Sequence, residues 1–218
     1  MSQYAFKGAR RGTGAVDRAV LLAHGAGSDK ESAVLKGVAN ALAAAGIPSL
    51  RFDYPYRVAK KRAPDRPPVL ERATRDAAAE LARRTGLPPE RLVLGGRSMG
   101  GRYCSQVVGD EELPVPALGL LLLGYPLHPA GQPGRQRVDH FPRLRVPCLF
   151  VSGTRDALAG RDALAKATKA IKGKVTFHWL ESADHGYRPL KASGRTVDDV
   201  ITEVAGTSAT WVSALPGS

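Results

Sequence analysis

The stretch Leu92-Val93-Leu94-Gly95-Gly96-Arg97-Ser98-Met99-Gly100-Gly101 decides how this chain folds. Leu92, Val93 and Leu94 form an apolar run short enough for a buried strand. Gly96, Ser98 and Gly100 then fit Gly-x-Ser-x-Gly, the pattern of a sharp strand-to-helix turn with a serine at its apex. The chemistry of that turn explains the glycines. The serine backbone is strained there, and a flanking Cβ would collide where strand and helix meet. Ser98 Oγ is expected to point out over the sheet edge, at a helix N-terminus whose free N–H groups favour developing negative charge. The competing reading is a Gly-rich turn with an incidental serine, so the surrounding chain has to arbitrate.

Downstream, a helix is expected over residues 99–108. Residues 117–123 are nearly all apolar, as in a central parallel strand covered on both faces. A connection rich in Gly, Pro and Arg fills 124–145. Residues 147–151 form another buried strand leading to Asp156. Leu164, Ala167 and Ile171 mark a helix, and Val175, Phe177 and Trp179 alternate in a strand over 174–180. His185 follows, and then Val197, Val200, Ile201 and Val204 outline a last amphipathic helix.

Upstream, Leu70, Ala73, Ala77 and Leu81 share one helical face, with Arg72–Asp76 and Glu80–Arg84 spaced to pair along the other. A strand over 47–53 runs into Asp53-Tyr54-Pro55-Tyr56. The apolar run 19–23 ends in His24-Gly25-Ala26-Gly27, followed by a helix through Val34, Leu35, Val38 and Leu42, with Ser28 and Glu31 spaced as a capping box. Residues 1–18 are weakly patterned and either add an edge strand or stay mobile; 19–218 read as one domain. Strand and helix alternate throughout, which argues a mostly parallel sheet with helices on both faces.

In such a sheet, functional groups gather beyond the carboxyl ends of the strands. Ser98, Asp156 and His185 all meet that test. A serine hydroxyl is a poor nucleophile at neutral pH, so His185 would take its proton and Asp156 would orient the imidazole. Asp156 has a simpler alternative as a helix cap, and His185 as an exposed turn residue. Asp184 is the rival acid. Acyl transfer also needs two backbone N–H groups for the carbonyl oxygen; Met99 supplies one and Ala26 the other, with Gly27 as the alternative donor. His24 is expected to brace its loop. Gly25, Gly27, Tyr54 and Tyr56 are candidate substrate contacts, the tyrosines as pocket walls or as packing. The loop departs from phosphate cradles: Lys30 stands where a dinucleotide fingerprint needs Gly, and no Gly-Lys-Ser/Thr follows.

The formal net charge of +12 favours anionic partners in general. The sharpest basic run, Arg57, Lys60, Lys61, Arg62 and Arg66, has no nucleic-acid motif or aromatic stacking pattern beside it and reads as a solvated loop. His128 and His140 are too isolated to argue for a metal. Cys104 and Cys148 read as small buried hydrophobes without a Cys-x-x-Cys. No signal peptide or membrane span is apparent, so a reducing, cytoplasmic setting is expected.

From residue 19 onward the chain resembles the α/β-hydrolase superfamily, on His24-Gly25-Ala26-Gly27, Arg51-Phe52-Asp53-Tyr54-Pro55-Tyr56 and Gly95-Gly96-Arg97-Ser98-Met99-Gly100-Gly101-Arg102. Those motifs look like a compact, dienelactone-hydrolase-like branch related to the hydrolase-like domain of testis-expressed and NSL-complex proteins. The chain order Ser, Asp, His is that of α/β-hydrolases. The resemblance implies a single-domain fold with a Ser98–His185–Asp156 triad, an oxyanion hole at Met99 and Ala26, no cofactor and no metal. No cap domain follows Leu123, so a minimal lid and an open site are expected, unsuited to bulky lipids. The implied function is a carboxylesterase or thioesterase-like serine hydrolase acting on a small-molecule ester, monomeric or homodimeric, without nucleic acid or membrane partners. Because the branch includes interaction modules, the alternative is a non-catalytic binding module presenting a basic face to acidic partners or nucleic acid.

Overall fold

A computed structural model describes residues 2–9 and 16–217. Seven strands form one sheet: β1 (Tyr4–Lys7), β2 (Ala19–Ala23), β3 (Ser49–Phe52), β4 (Leu92–Arg97), β5 (Gly119–Leu123), β6 (Cys148–Gly153) and β7 (Val175–Leu180). Their order is β1-β3-β2-β4-β5-β6-β7. All neighbours are parallel except β1, which runs antiparallel along β3, with Tyr4 opposite Phe52 and Lys7 opposite Ser49. Of the two readings of residues 1–18, the edge strand is the one the structure takes at Tyr4–Lys7. Residues 10–15 lie outside the described residues.

The helices are α1 (Ala33–Ala44), α2 (Pro55–Val58), α3 (Pro67–Thr85), α4 (Met99–Val108), α5 (Arg161–Ala167) and α6 (Val197–Ser213). Strand alternation sorts the core onto two faces. Leu21, Leu94, Leu120, Leu122 and Phe150 pack with Leu70, Leu81 and Val107 from α3 and α4. Val20, Leu22, Val93, Leu121 and Leu123 pack with Leu35, Val38 and Leu42 of α1 and Val200, Val204 and Val212 of α6. This is why β5 reads as an unbroken leucine run: both of its faces are covered.

Local chemistry sets the helix ends. Two prolines open α3, ahead of the apolar face that begins at Leu70, and Gly86 closes it in the left-handed region at φ 70°. Glu80 accepts from both Arg83 and Arg84, whereas among the described residues Arg72 and Asp76 form no ion pair with each other. Thr196 and Asp199 form a reciprocal capping box on α6. The box expected at Ser28 and Glu31 does not form: α1 begins later, after Ser32. Asp29 Oδ1 instead accepts the Glu31 N–H in a turn. The buried Arg18 finishes the far end of α6, donating to the carbonyls of Val212 and Leu215 at 2.9 and 2.7 Å.

From β2 the chain crosses to β3 on one side and then returns to β4 on the other. The loops leaving β2 and β4 therefore diverge, opening a crevice at the carboxyl ends of the strands. Between β5 and β6 the chain inserts no cap, only a connection with one 3-10 turn at Phe141–Arg143.

Candidate active site

Ser98 stands where β4 turns into α4, with φ 50° and ψ −113°. A non-glycine residue holds such a backbone only where its surroundings enforce it. Here the Ser98 N–H donates to Leu123 O at 2.8 Å, and α4 lies almost on β2. A Cβ on Gly96 would fall 2.2 Å from Ala23 O, and one on Gly100 2.3 Å from the same atom. Those two positions of the motif admit only glycine.

Ser98 Oγ lies 3.0 Å from His185 Nε2, and His185 Nδ1 lies 2.8 Å from Asp156 Oδ2. The three residues, distant in sequence, thus form one continuous hydrogen-bonded chain. An ionised carboxylate only accepts, so Nδ1 carries the proton and Nε2 presents its lone pair to the serine hydroxyl. The Asp156 side chain is fully buried while that of His185 is 26% exposed, which leaves the imidazole within reach of a ligand. Asp156 Oδ1 accepts the Leu158 N–H at 2.8 Å, so this carboxylate both orients the ring and caps the turn after β6. Asp184 is taken up elsewhere, accepting the Arg188 N–H at 2.9 Å. The loop carrying His185 is anchored by Tyr187, whose buried hydroxyl donates to Val151 O and whose ring lies beneath the Arg97 guanidinium at 4.4 Å.

The loop after β2 packs on this elbow: a Cβ on Gly25 would meet Arg97 O at 3.3 Å and Ser98 Cβ at 3.5 Å. The buried His24 braces the loop. Its Nε2 accepts the Tyr54 N–H at 3.1 Å, so its Nδ1 carries the proton and donates to Gly25 O at 2.8 Å. Burial holds this imidazole below the usual histidine pKa, keeping it neutral. Lys30 adds a second tie, its N–H and Nζ both donating to the Asp53 carboxylate. Met99 N–H, the first of α4, and Ala26 N–H make no hydrogen bond among the described residues. Ala26 lines the cavity at Ser98 together with Met99, and Gly25 and Gly27 do not.

That cavity has a volume of about 320 Å³. It is lined by apolar Leu70, Met99, Pro126 and Leu158 and by polar Asp65, Arg102, Arg137 and His128. Tyr54 and Tyr56 are not among its walls, and of the two readings, pocket wall or packing, the structure takes packing. Both are buried against His24, and the Tyr54 hydroxyl is 3.1 Å from Thr74 Oγ1. Position past a strand end does not reveal that these side chains turn back into the core. The two arginines escaped sequence reasoning: Arg102 was legible in principle, one helical turn after Ser98, whereas Arg137 comes from an irregular connection with no periodicity.

Of the remaining candidates, His128 Nδ1 lies 2.9 Å from Pro129 O and His140 Nε2 lies 2.8 Å from the buried Ser105 Oγ. Cys104 and Cys148 are buried free thiols donating to Gly95 O and Val146 O. In the basic run, Arg57 approaches Asp29 at 3.5 Å, while Lys60, Lys61, Arg62 and Arg66 are exposed. Among the described residues, no helix is long and apolar enough to cross a membrane.

Residues 16–213 match the family described as the alpha/beta hydrolase domain. Among solved structures, an α/β serine hydrolase without a lid from Xanthomonas campestris has a TM-score of 0.71 at 16% identity, covering 98% of this chain and 90% of that one. A dienelactone hydrolase from Anabaena variabilis has a TM-score of 0.69 at 20% identity, over 95% of this chain and 89% of that one. An α/β serine hydrolase homologue from Coxiella burnetii gives 0.69 at 16%, over 94% and 90%. At these identities the structural likeness speaks for the fold, and the family match speaks for membership. The chain therefore belongs to the alpha/beta hydrolase domain family, as a compact, lidless member.

Proposed function

We propose that this protein is a serine hydrolase that cleaves carboxylic esters or thioesters of small acyl compounds. The observation that carries this reading is the unbroken relay from Ser98 Oγ through His185 to Asp156 at a strained turn beside a cavity. Ser98 Oγ attacks the acyl carbonyl carbon while its proton passes to His185 Nε2. Asp156 stabilises the resulting imidazolium. The charge that develops on the carbonyl oxygen meets the free N–H groups of Met99 and Ala26. Collapse of the tetrahedral species breaks the bond to the leaving alcohol or thiol, which takes the proton back from His185. Water then attacks the acyl-Ser98 ester by the same relay in reverse, releasing the acid and the free serine. The reading is supported further by the missing cap, which leaves the cavity open to compact substrates.

Short-chain 4-nitrophenyl esters test it. Ser98→Ala is expected to lower kcat by about 10³-fold or more, and Asp156→Asn by a comparable factor because the imidazole loses its tautomer. Folded Ser98→Ala protein that retains wild-type turnover would refute the assignment.

A further inference from the structure

We propose that Arg102 and Arg137 form a subsite for an oxyanionic group, so that the substrate is a short acyl ester bearing a carboxylate or phosphate away from the scissile bond. This rests on the reading of Ser98 as nucleophile and names the substrate class of the same site. Both arginines line the Ser98 cavity. Arg102 lies one turn of α4 beyond Ser98, its N–H donating to Ser98 O. That turn is a rise of about 6 Å along the helix, which a short carbon chain spans.

Each arginine is held in place from within the protein. The Arg102 guanidinium sits 4.2 Å from the Tyr103 ring centroid and donates to Gln106 Oε1, while its Nε is buried without a partner. Arg137 is pinned at its backbone, its N–H donating to Leu127 O and its C=O accepting from the Tyr125 hydroxyl at 2.6 Å. Among the described residues neither guanidinium has a carboxylate within 4.0 Å; Asp65, the acidic group on the cavity wall, pairs with neither. Arg137 is held below the ordinary arginine range by burial and then by the charge of Arg102. Two cations on the lining of one small cavity, neither paired with a carboxylate, repel each other, and an oxyanion bound between them removes that cost.

The test compares three 4-nitrophenyl esters of matched length: pentanoate, the monoester of glutaric acid, and 4-phosphonobutanoate. Wild-type protein is expected to prefer one of the anionic esters over pentanoate by about tenfold or more in kcat/KM. That ratio is expected to shrink as NaCl rises from about 20 to about 500 mM. It should fall at least about fivefold in Arg102→Gln and again in Arg137→Gln, while the remote Arg83→Gln leaves it where it was. Because the ratio is internal to each variant, a general loss of activity does not mimic the effect. If Arg102→Gln fails to fold, Arg137→Gln and the salt dependence carry the test. Preference for glutarate or for the phosphonate assigns carboxylate or phosphate. Turnover of all three esters without anionic preference, or a preference that survives both substitutions, overturns the subsite alone. No turnover of any ester, with no covalent labelling of Ser98, overturns the hydrolase reading and the subsite with it.

Discussion

At the scale of single residues, the backbone of Ser98 shows how the motif works. A positive φ at a serine is held by the hydrogen bond to Leu123 O and by the closeness of α4 to β2. Gly100→Ala would drive a methyl group to 2.3 Å from Ala23 O and 2.7 Å from His24 O. The atoms met are all backbone, so no side-chain rotamer relieves that contact. The substitution is expected to destabilise the fold by about 3 kcal/mol or more in urea denaturation, and to loosen the loop that carries Ala26. Wild-type stability in that variant would show that α4 is free to move away. That Ser98, Asp156 and His185 meet in space was legible because strand ends converge in a parallel sheet. The choice of Asp156 over Asp184 was harder to read. Each carboxylate accepts a backbone N–H through Oδ1, Asp156 from Leu158 and Asp184 from Arg188, and it is Asp156 whose second oxygen meets the ring. Of the two readings of Tyr54 and Tyr56, packing is the one the structure takes: both are buried against His24, and the Tyr54 hydroxyl meets Thr74.

At the scale of elements, strands and amphipathic helices followed from periodicity, and their ends depended on turn chemistry. The start of α1 was misread because Ser28 and Glu31 have cap spacing, yet Asp29 folds that segment into a turn first. The connection between β5 and β6 was legible only as irregular. Its tie to α4 is the buried pair of His140 Nε2 and Ser105 Oγ, 2.8 Å apart. Burial, and then the nearby Arg143 and Arg102, push the His140 imidazole down to about 4. An unfolded histidine titrates near about 6.5. Between those values the unfolded chain binds a proton that the folded protein refuses, so stability is full above about 6.5 and is lost as pH falls toward about 4, by roughly 1.4 kcal/mol per pH unit. His24, lowered by burial, acts in the same direction. Denaturant unfolding from pH 7.5 to 4.5 should therefore show a shallower pH dependence for His140→Gln than for wild type. Parallel pH profiles would contradict the buried neutral state.

At the scale of the whole molecule, two apolar layers enclose the sheet, and the site lies at the edge where the strand order reverses. The cysteines belong to the layers. Burial pushes Cys148 up to about 12 and Cys104 higher still. Neither thiol is expected to react with a maleimide until the fold opens, so modification should track unfolding in denaturant; rapid labelling in native buffer would contradict this burial. The architecture was legible in the sequence because alternating strand and helix patterns admit few topologies. The cavity wall was not, because loop geometry determines it. The central claim is that Ser98 is an activated nucleophile. It is tested most directly by exposing folded protein to a fluorophosphonate and mapping the adduct by peptide mass spectrometry. The account predicts one covalent adduct, on Ser98, that forms far more slowly in His185→Ala. An unmodified Ser98 in folded wild-type protein would contradict it.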